Sequence, residues 1–332
     1  MNHIEPHSAP LAEAVARFAG RRVVVVGDII ADQFQYGEIS RVSREAPVLI
    51  LRHERTITVP GGAANCALNL ASLGAQATLI GVVGADEAGC ELLHKLQAAG
   101  VDCKQVRELP GQRTTTKTRI LAGQLHSTRQ QILRIDYECR VPHDEAVRAG
   151  LSDSLRQTAR TADALIVSDY GYGVADAQTA AIARETGLSW LVDSRFALAD
   201  FAGATAATPN EDEVEKLLNR RFSNTAELTE AAVKLRADLS LQALLVTRGS
   251  HGMLLLEKDA VPLTLKAVGA SEPVDVTGAG DTVIATYALA LASGASFADA
   301  ARLANYAGGL VVMKRGTAAL SLTELQRQIK HK

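Results

Sequence analysis

Unbroken runs of apolar, mostly β-branched residues recur along the chain and predict the strands of a parallel sheet. The clearest runs are Val23–Ile30, Leu79–Val83, Ala164–Asp169 and Ala243–Thr247. Strands that are buried on both faces have continuous apolar sequences and do not alternate. Helical segments lie between these runs, and strands that alternate with helices are typical of α/β proteins. The pattern therefore predicts one α/β domain over residues 1–332, with a central, mostly parallel sheet flanked by helices.

Two stretches break this alternation. Residues at about 33–60 and 112–138 are rich in β-forming side chains that partly alternate, as in Pro47–Val59 and Thr114–Leu121. We expect both stretches to leave the parallel core and to pair with each other as a small β-sheet. An exposed apolar face on such a sheet needs cover, so we also expect a homodimer formed through these sheets.

The longest apolar helical run, Val283–Leu291, follows Gly278-Ala279-Gly280-Asp281. Glycines permit a tight turn, and the first N–H groups of a helix have no partners within the helix. The helix dipole makes that end positive, so the turn suits a phosphate or a developing anion. The carboxylate of Asp281 has two interpretations at this position. It either caps the helix or acts as a general base beside a transferring phosphoryl group.

Composition narrows the function classes. The chain has 332 residues, 47% of them apolar, which is enough for a sizeable core. A net charge of −2 gives no basic field for nucleic acid or an anionic membrane. No apolar run is long enough to span a membrane, and residues 1–22 indicate a short amphipathic helix instead of a signal peptide. The four cysteines form no Cys-x-x-Cys pair, which fits reduced thiols in a cytoplasmic protein.

Polar residues follow the predicted strands at the edge where ligands of parallel sheets bind. Asp28 and Asp32 follow the four valines of the first run, and Asp169 ends a later run, so all three are candidate substrate contacts. Solvated loop acids are an equally simple interpretation of Asp28. No Gly-x-Gly-x-x-Gly follows the first strand, which disfavours a dinucleotide-dependent oxidoreductase.

Gly61 and Gly62 open an Ala-rich helix that carries Asn65 in its first turn. Glycine lets a ligand approach the backbone closely, and an amide side chain both donates to and accepts from hydroxyl groups. These properties favour contact with a sugar. A helix cap or a buried core amide is the alternative interpretation of Asn65.

These segments together resemble the ribokinase-like (PfkB) carbohydrate kinases. The family signature Asp-Thr-x-Gly-Ala-Gly-Asp is matched by Asp275, Gly278, Ala279, Gly280 and Asp281, with Val276 in place of Thr. A second signature, Gly-Gly followed by Asn, matches the helix that carries Asn65. The resemblance extends over about residues 22–326 and implies a ribokinase-like fold in which the small β-sheet is a lid.

The resemblance also implies ATP, Mg²⁺ and a set of catalytic residues, and it leaves a monovalent cation open. Asp281 would be the base, and the N–H groups of residues 278–280 would hold the transferring group, since the chain has no Walker A motif. Asn210 and Glu213 would order Mg²⁺ and phosphate through water, although their spacing is also that of a helix capping box. The other implied nucleotide contacts are Thr247, Gly249, Ser250 and Asn305.

Within the family, the resemblance is closest to kinases that act on a heptose 7-phosphate. It rests on Gly27-Asp28, Tyr36-Gly37, residues 40–48, Pro60–Asn65 and Ser168–Tyr170. It implies phosphorylation of the anomeric hydroxyl of D-glycero-β-D-manno-heptose 7-phosphate, in the synthesis of ADP-heptose for the lipopolysaccharide core. Such kinases are often fused to an adenylyltransferase with a His-x-Gly-His motif. That motif is absent from this sequence, so we expect a free-standing kinase.

A sugar phosphate needs a cationic clamp, and the guanidinium fork of arginine suits it. The candidates on the predicted lid and its approaches are Arg41, Arg44, Lys117, Arg119 and Arg134. Ordinary charges that protect the edge of a sheet are the alternative. Tyr172 and Ser194-Arg195 stand where related kinases carry Lys and Pro-Lys, which bears on substrate detail.

Two further functions stay open. One is another sugar or sugar-phosphate kinase, for example one acting on ribose, fructose or fructose 1-phosphate. The other is a sugar-phosphate sensor without catalytic activity, which the presence of Asp281 disfavours, since a sensor has no need of a base.

Overall fold

The β-branched runs form the middle of a nine-stranded sheet in the computed structural model, which describes residues 8–123, 129–142, 144–269 and 273–330. The described strands are β1 (Arg22–Gly27), β2 (Ile29–Val42), β3 (Leu49–Gly62), β4 (Gln76–Gly84), β5 (Asp102–Leu109), β6 (Thr116–Gly123), β7 (Gln130–Tyr137), β8 (Ala164–Asp169), β9 (Ser189–Ser194), β10 (Ala206–Ala207), β11 (Ala243–Thr247), β12 (Met253–Glu257) and β13 (Leu263–Leu265). The order in the large sheet is β13-β12-β11-β10-β9-β8-β1-β4-β5. All neighbours from β11 to β5 are parallel, and β12 and β13 are antiparallel additions at one edge.

Helices cover both faces of this sheet. The described α-helices are α1 (Ser8–Ala16), α2 (Ala63–Ser72), α3 (Glu87–Ala98), α4 (Glu145–Ala159), α5 (Ala177–Thr186), α6 (Glu211–Leu217), α7 (Thr225–Asp238), α8 (Ala279–Ala292), α9 (Phe297–Val311) and α10 (Leu322–Lys330). Alternate side chains of β1 enter different cores, with Val23 and Val25 on the side of α2 and α8, and Val24 and Val26 on the side of α4 and α5. This two-sided burial explains why the strand sequence is apolar throughout.

The two β-rich stretches form a second sheet with the order β3-β2-β6-β7, here called the lid sheet. Strands β2 and β6, one from each stretch, pair in parallel from Ala31 opposite Thr116 to Glu38 opposite Gly123. The prediction that the two stretches pair is therefore confirmed. Residues 124–128 of the second stretch lie outside the described residues.

Two features of the fold differ from the sequence prediction. The run Val23–Ile30 is not one strand, because β1 ends at Gly27 and the chain enters the lid sheet at Ile29. The antiparallel β12 and β13 were not predicted, because apolar periodicity does not encode strand direction. The loop between β11 and β12 is too short for a parallel crossover, so β12 must return antiparallel. In the described part of the chain, no helix combines the length and apolarity needed to cross a membrane.

Candidate active site

The predicted anion-binding turn lies at the N-terminus of the buried helix α8. Gly278 is the N-cap, with a φ of 76°, and no side chain caps the helix there. A Cβ atom at Gly278 would lie 2.5 Å from Asn65 Nδ2 and 2.8 Å from Thr317 Cγ2, so both the conformation and the space require glycine. The N–H of Ala279 donates to the carbonyl of Val276 at 3.2 Å, which leaves the N–H groups of Gly278 and Gly280 for an anion.

Asp281 is the third residue of α8 and is only 2% exposed. Its Oδ2 accepts a hydrogen bond from Asn65 Nδ2 at 2.8 Å, and its Oδ1 accepts one from the Tyr170 hydroxyl at 2.8 Å. The carboxylate thus bonds to side chains from two other elements, which argues against the capping interpretation. Burial raises the pKa of Asp281 to about 7, although the two hydrogen bonds lower it. A carboxylate that titrates near neutral pH suits a general base.

Asn65 is buried and hydrogen-bonded to other protein groups, in line with its alternative interpretation as a core amide. It is 0% exposed, and its Nδ2 donates to both Asp281 and the carbonyl of Gly278. Its Oδ1 accepts from Asn69 Nδ2 at 3.0 Å, and Asn69 Oδ1 accepts from the N–H of Leu320 at 3.1 Å. Asn65 is therefore placed to orient Asp281, at the end of a buried chain of amides.

Asp28 and Asp169 are likewise hydrogen-bonded to protein groups. Asp28 accepts from the backbone N–H groups of Tyr170, Tyr172 and Val174. Asp169 accepts from the N–H of Gly171 and from the Ser194 hydroxyl at 2.6 Å. Both acids shape the loop after β8, which carries Tyr170 to Asp281.

The predicted Gly61 and Gly62 lie at the end of β3, where it enters α2. A Cβ at Gly61 would lie 2.4 Å from Asp32 Oδ2, and one at Gly62 would lie 2.6 Å from the carbonyl of Asp28. The glycines thus allow the lid sheet and the core to approach each other closely.

Two of the predicted cations lie at the buried base of the lid sheet. Lys117 and Arg119 are each 8% exposed, and Arg119 pairs with Asp32 at 2.5 Å. Asp32 also accepts from the Thr317 hydroxyl at 3.2 Å. Strand pairing places Asp32 opposite Lys117 and Arg119 opposite Arg134, so these side chains share one face of the lid sheet. Lys117 Nζ lies 5.2 Å from the centre of the Tyr170 ring, which identifies this face as the one towards Asp281.

The remaining lid cations lie farther out. Arg41 and Arg44 are both exposed near the tip of the lid sheet. Arg134 pairs with Asp136 at 2.8 Å through a half-exposed side chain. Lys117 makes no ion pair with any described residue, which leaves it as the cation best placed for a ligand. Burial and the positive charge of Arg195 lower its pKa.

The predicted nucleotide contacts meet at the carboxyl edge of the large sheet. Asn210 and Glu213 form the capping box of α6, with bonds of 2.9 Å in both directions. Asn210 also bridges to Thr247 at the end of β11, and Gly249 and Ser250 follow in an exposed turn. Asn305 lies in α9 and donates to the carbonyl of Lys266 at 2.7 Å. The structure therefore brings Asn210, Glu213 and Thr247 together and engages the amide of Asn305 elsewhere.

An acidic cavity of about 230 Å³ lies between Tyr170 and α6. Its charged lining residues are Asp169, Asp193, Arg195, Asp212, Glu213 and Lys216. Burial and the charges of Glu213 and Asp281 raise the pKa of Asp193, and burial also raises the pKa of Glu213. A bound cation would relieve this repulsion. Among the described residues, no group of three or more His, Cys, Asp or Glu could hold a metal ion.

Sequence reasoning assigned no role to Tyr170 or Asp193 and treated Ser194-Arg195 only as a departure. In the sequence, Tyr170 appears only as the last residue of the motif Ser168–Tyr170. Its role could not be predicted from the sequence, because its partner Asp281 is 111 positions away. The position of Asp193 at the carboxyl end of β9 is the signal that would have identified it. Ser194 stands where related kinases carry Pro, and its hydroxyl donates a hydrogen bond to Asp169.

Comparison with known proteins gives the family. The family described as pfkB family carbohydrate kinase matches residues 21–324. The bifunctional protein HldE of Pseudomonas aeruginosa is 44% identical over 321 residues, which cover 95% of this chain and 65% of that protein. The protein of the same name from Mesorhizobium japonicum is 41% identical over 330 residues, 98% of this chain and 65% of its own length. The chain thus spans just under two thirds of these relatives.

Solved structures agree on the fold. Arabidopsis thaliana ribokinase, complexed with ribose and ATP, has a TM-score of 0.74 at 21% identity, over 94% of this chain and 99% of its own. Phosphofructokinase-2 from Escherichia coli, in complex with potassium, has a TM-score of 0.77 at 20% identity, over the same shares of the two chains. The predicted ribokinase-like α/β fold is confirmed.

Proposed function

The chain belongs to the pfkB family of carbohydrate kinases, and from this premise we propose that it transfers the γ-phosphoryl group of ATP to the anomeric hydroxyl of D-glycero-β-D-manno-heptose 7-phosphate. The proposal for this sugar rests on the motif resemblance within the family. The similarity to two HldE proteins over almost the whole chain supports it. The product, the 1,7-bisphosphate, would serve ADP-heptose and lipopolysaccharide core synthesis.

The observation that carries the proposal is the environment of Asp281. A buried carboxylate with a pKa of about 7 lies one turn or less from the N–H groups at the start of α8. Phosphoryl transfer needs an anion site, a positioned nucleophile and little else from the protein. Asp281 would take the proton from the sugar hydroxyl, while the N–H groups of residues 278–280 stabilise the charge on the transferring group.

The cation-bearing face of the lid sheet supports a phosphorylated substrate. Lys117, Arg119 and Arg134 share this face, and Asp32 holds Arg119 in place. We propose that Lys117 and Arg119 bind the phosphate of the sugar and that Asp32 contacts its hydroxyl groups. Arg134 would close over the phosphate from β7.

ATP would bind along the carboxyl edge, from Glu213 and Thr247 toward the turn at Gly249. The acidic cavity fits Mg²⁺, with Glu213 and Asp193 holding its water ligands. Bound Mg²⁺ would neutralise charge on the phosphates of ATP. Arg195, on the same cavity, supplies a side-chain cation for the transferring group. The use of ATP and the four free thiols support a cytoplasmic location.

A homodimer through the lid sheets would bury its outer face. Leu133, Ile135 and Tyr137 of β7 are 52%, 36% and 38% exposed and do not lie on the face that carries Lys117. Apolar side chains grouped in this way on an edge strand favour association with another sheet. Ile57 of β3 lies opposite Phe34, on the cationic face, and is therefore not part of this surface.

A substrate panel tests the proposed reaction. ATP is supplied with heptose 7-phosphate, ribose, fructose, fructose 1-phosphate or fructose 6-phosphate, and ADP release is measured for each sugar. We expect kcat/KM to be highest for heptose 7-phosphate by at least about tenfold, since several cations are reserved for its phosphate. Equal turnover of an unphosphorylated sugar contradicts the proposal.

A further inference from the structure

Tyr170 is the second side chain bonded to Asp281, and the sequence pattern gave it no role. Its hydroxyl donates to Oδ1 at 2.8 Å, while Asn65 donates to Oδ2 at 2.8 Å. We propose that Tyr170 is a positioning residue that fixes the orientation of the Asp281 carboxylate and keeps it ready to accept a proton. This inference rests on the proposed function, since it takes Asp281 as the general base.

The two donors hold the carboxylate without blocking it. A carboxylate has about four lone-pair positions, and Asn65 and Tyr170 each use one, on different oxygens. Fixing both oxygens fixes the plane of the group. The remaining lone pairs stay open to a sugar hydroxyl, so a proton can pass to Asp281 while Tyr170 remains bonded.

Tyr170 is itself held from two directions. Its N–H donates to Asp28 Oδ2 at 2.8 Å, and Asp28 also accepts from the N–H groups of Tyr172 and Val174. Asp28 is only 1% exposed, and a buried carboxylate is costly unless it is hydrogen-bonded in this way. On the other side, the ammonium group of Lys117 lies over the Tyr170 ring, 5.2 Å from its centre. Tyr170 therefore connects the lid sheet and the loop after β8 to Asp281.

The charged groups around Asp281 come from several elements. Asp32 of β2 raises the pKa of Asp281, and Lys117 of β6 lowers it. Asp193 of β9 also faces it, because the negative charge of Asp281 raises the pKa of Asp193. Within this set, the bonds from Asn65 and Tyr170 favour the ionised carboxylate and offset part of the effect of burial. Loss of the Tyr170 hydroxyl therefore moves the pKa of Asp281 upward.

The test is the pH dependence of kcat/KM, which reports the ionisation of the free enzyme. It is measured with ATP and heptose 7-phosphate for the wild type, Tyr170→Phe and Tyr172→Phe. Tyr172 is a matched control in the same loop, since its hydroxyl donates to Glu138 at 3.0 Å and not to Asp281. In Tyr170→Phe we expect the acid limb to move up by about one pH unit, with about a fivefold loss of kcat/KM at pH 7. Tyr172→Phe should keep the wild-type limb.

A second substitution at position 170 tests the same role in a variant that keeps the hydroxyl group, in case Tyr170→Phe does not fold. Site-specific 3-fluorotyrosine at position 170 keeps the hydroxyl and makes it a stronger donor, so the acid limb should move down. An unmoved limb in Tyr170→Phe, or an equal shift in Tyr172→Phe, overturns the inference. Asp281→Asn tests the proposed reaction separately from the role of Tyr170. If the Asp281→Asn variant keeps full turnover, the proposed function fails. If it is inactive while the Tyr170→Phe limb stays in place, only the role of Tyr170 fails.

Discussion

At the scale of single residues, Asp281 is unusual because its carboxyl group is buried and its pKa lies near neutral pH. Two donors stabilise its charge, and burial opposes it, with burial the larger effect. The sequence was sufficient to identify this residue, because the glycines and the apolar helix that form the site are adjacent to Asp281 in the chain. It could not identify Asn65 as the partner of Asp281, because that bond joins positions 216 apart and depends on how α2 packs against α8.

The raised pKa of Asp281 predicts a specific dependence of stability on pH. Its pKa is about 7 in the folded protein and about 3.9 when unfolded, so the folded state binds more protons between these values. The free energy of unfolding contributed by Asp281 therefore falls as pH rises from about 4 to 7, by up to a few kcal/mol. Asp281→Asn lacks this dependence. Its melting temperature relative to the wild type should increase between pH 5 and pH 8, and a constant difference would contradict the assignment.

At the scale of elements, the lid sheet shows what patterns along the chain can and cannot predict. Alternation in the segments of β3 and β6 predicted strands outside the core, and the structure confirms that the two stretches pair, through β2 and β6. The same alternation could not tell which cations face the cleft. Register decides this, and it places Lys117, Arg119 and Arg134 on one face. Arg41 lies beyond two register shifts in the pairing of β2 with β3, near the exposed tip.

The positions of Lys117 and Arg41 on the lid sheet predict different roles for these two cations. Lys117→Met should raise KM for heptose 7-phosphate by about 10- to 100-fold, because it removes a charge-assisted contact that lies in a buried site. KM for ATP should change little. Arg41→Met is the matched control and should leave both constants within about twofold. Steady-state kinetics with each substrate varied in turn measure these values, and equal effects of the two substitutions would contradict this arrangement.

At the scale of the whole molecule, the order of the strands brings the site together. Crossing from β1 into the lid sheet at Asp28 places lid and core side by side, and Gly61 and Gly62 permit their close approach. The alternation of strands and helices predicted this α/β core. The crossing was not predictable, because apolar residues stand on both sides of Gly27-Asp28 in the run Val23–Ile30, which favours one continuous strand.

The exposed apolar side chains of β7 predict the state of association. The wild type should be a dimer at micromolar concentration, and Leu133→Glu combined with Ile135→Lys should produce a monomer, since charges would be placed in an apolar interface. Val261→Glu is the control, because Val261 is 87% exposed in the loop before β13. Sedimentation velocity distinguishes the species. A monomeric wild type would rule out the dimer.

The central claim is that Asp281 is the general base of a sugar-phosphate kinase, and kcat of Asp281→Asn tests it most directly. Asparagine keeps the size of the side chain and can still accept a hydrogen bond from Asn65, so the protein should fold. General bases contribute about 10²–10⁴-fold, and we expect kcat with heptose 7-phosphate and ATP to fall within that range while ATP affinity is retained. A folded variant with near-normal kcat would contradict the account.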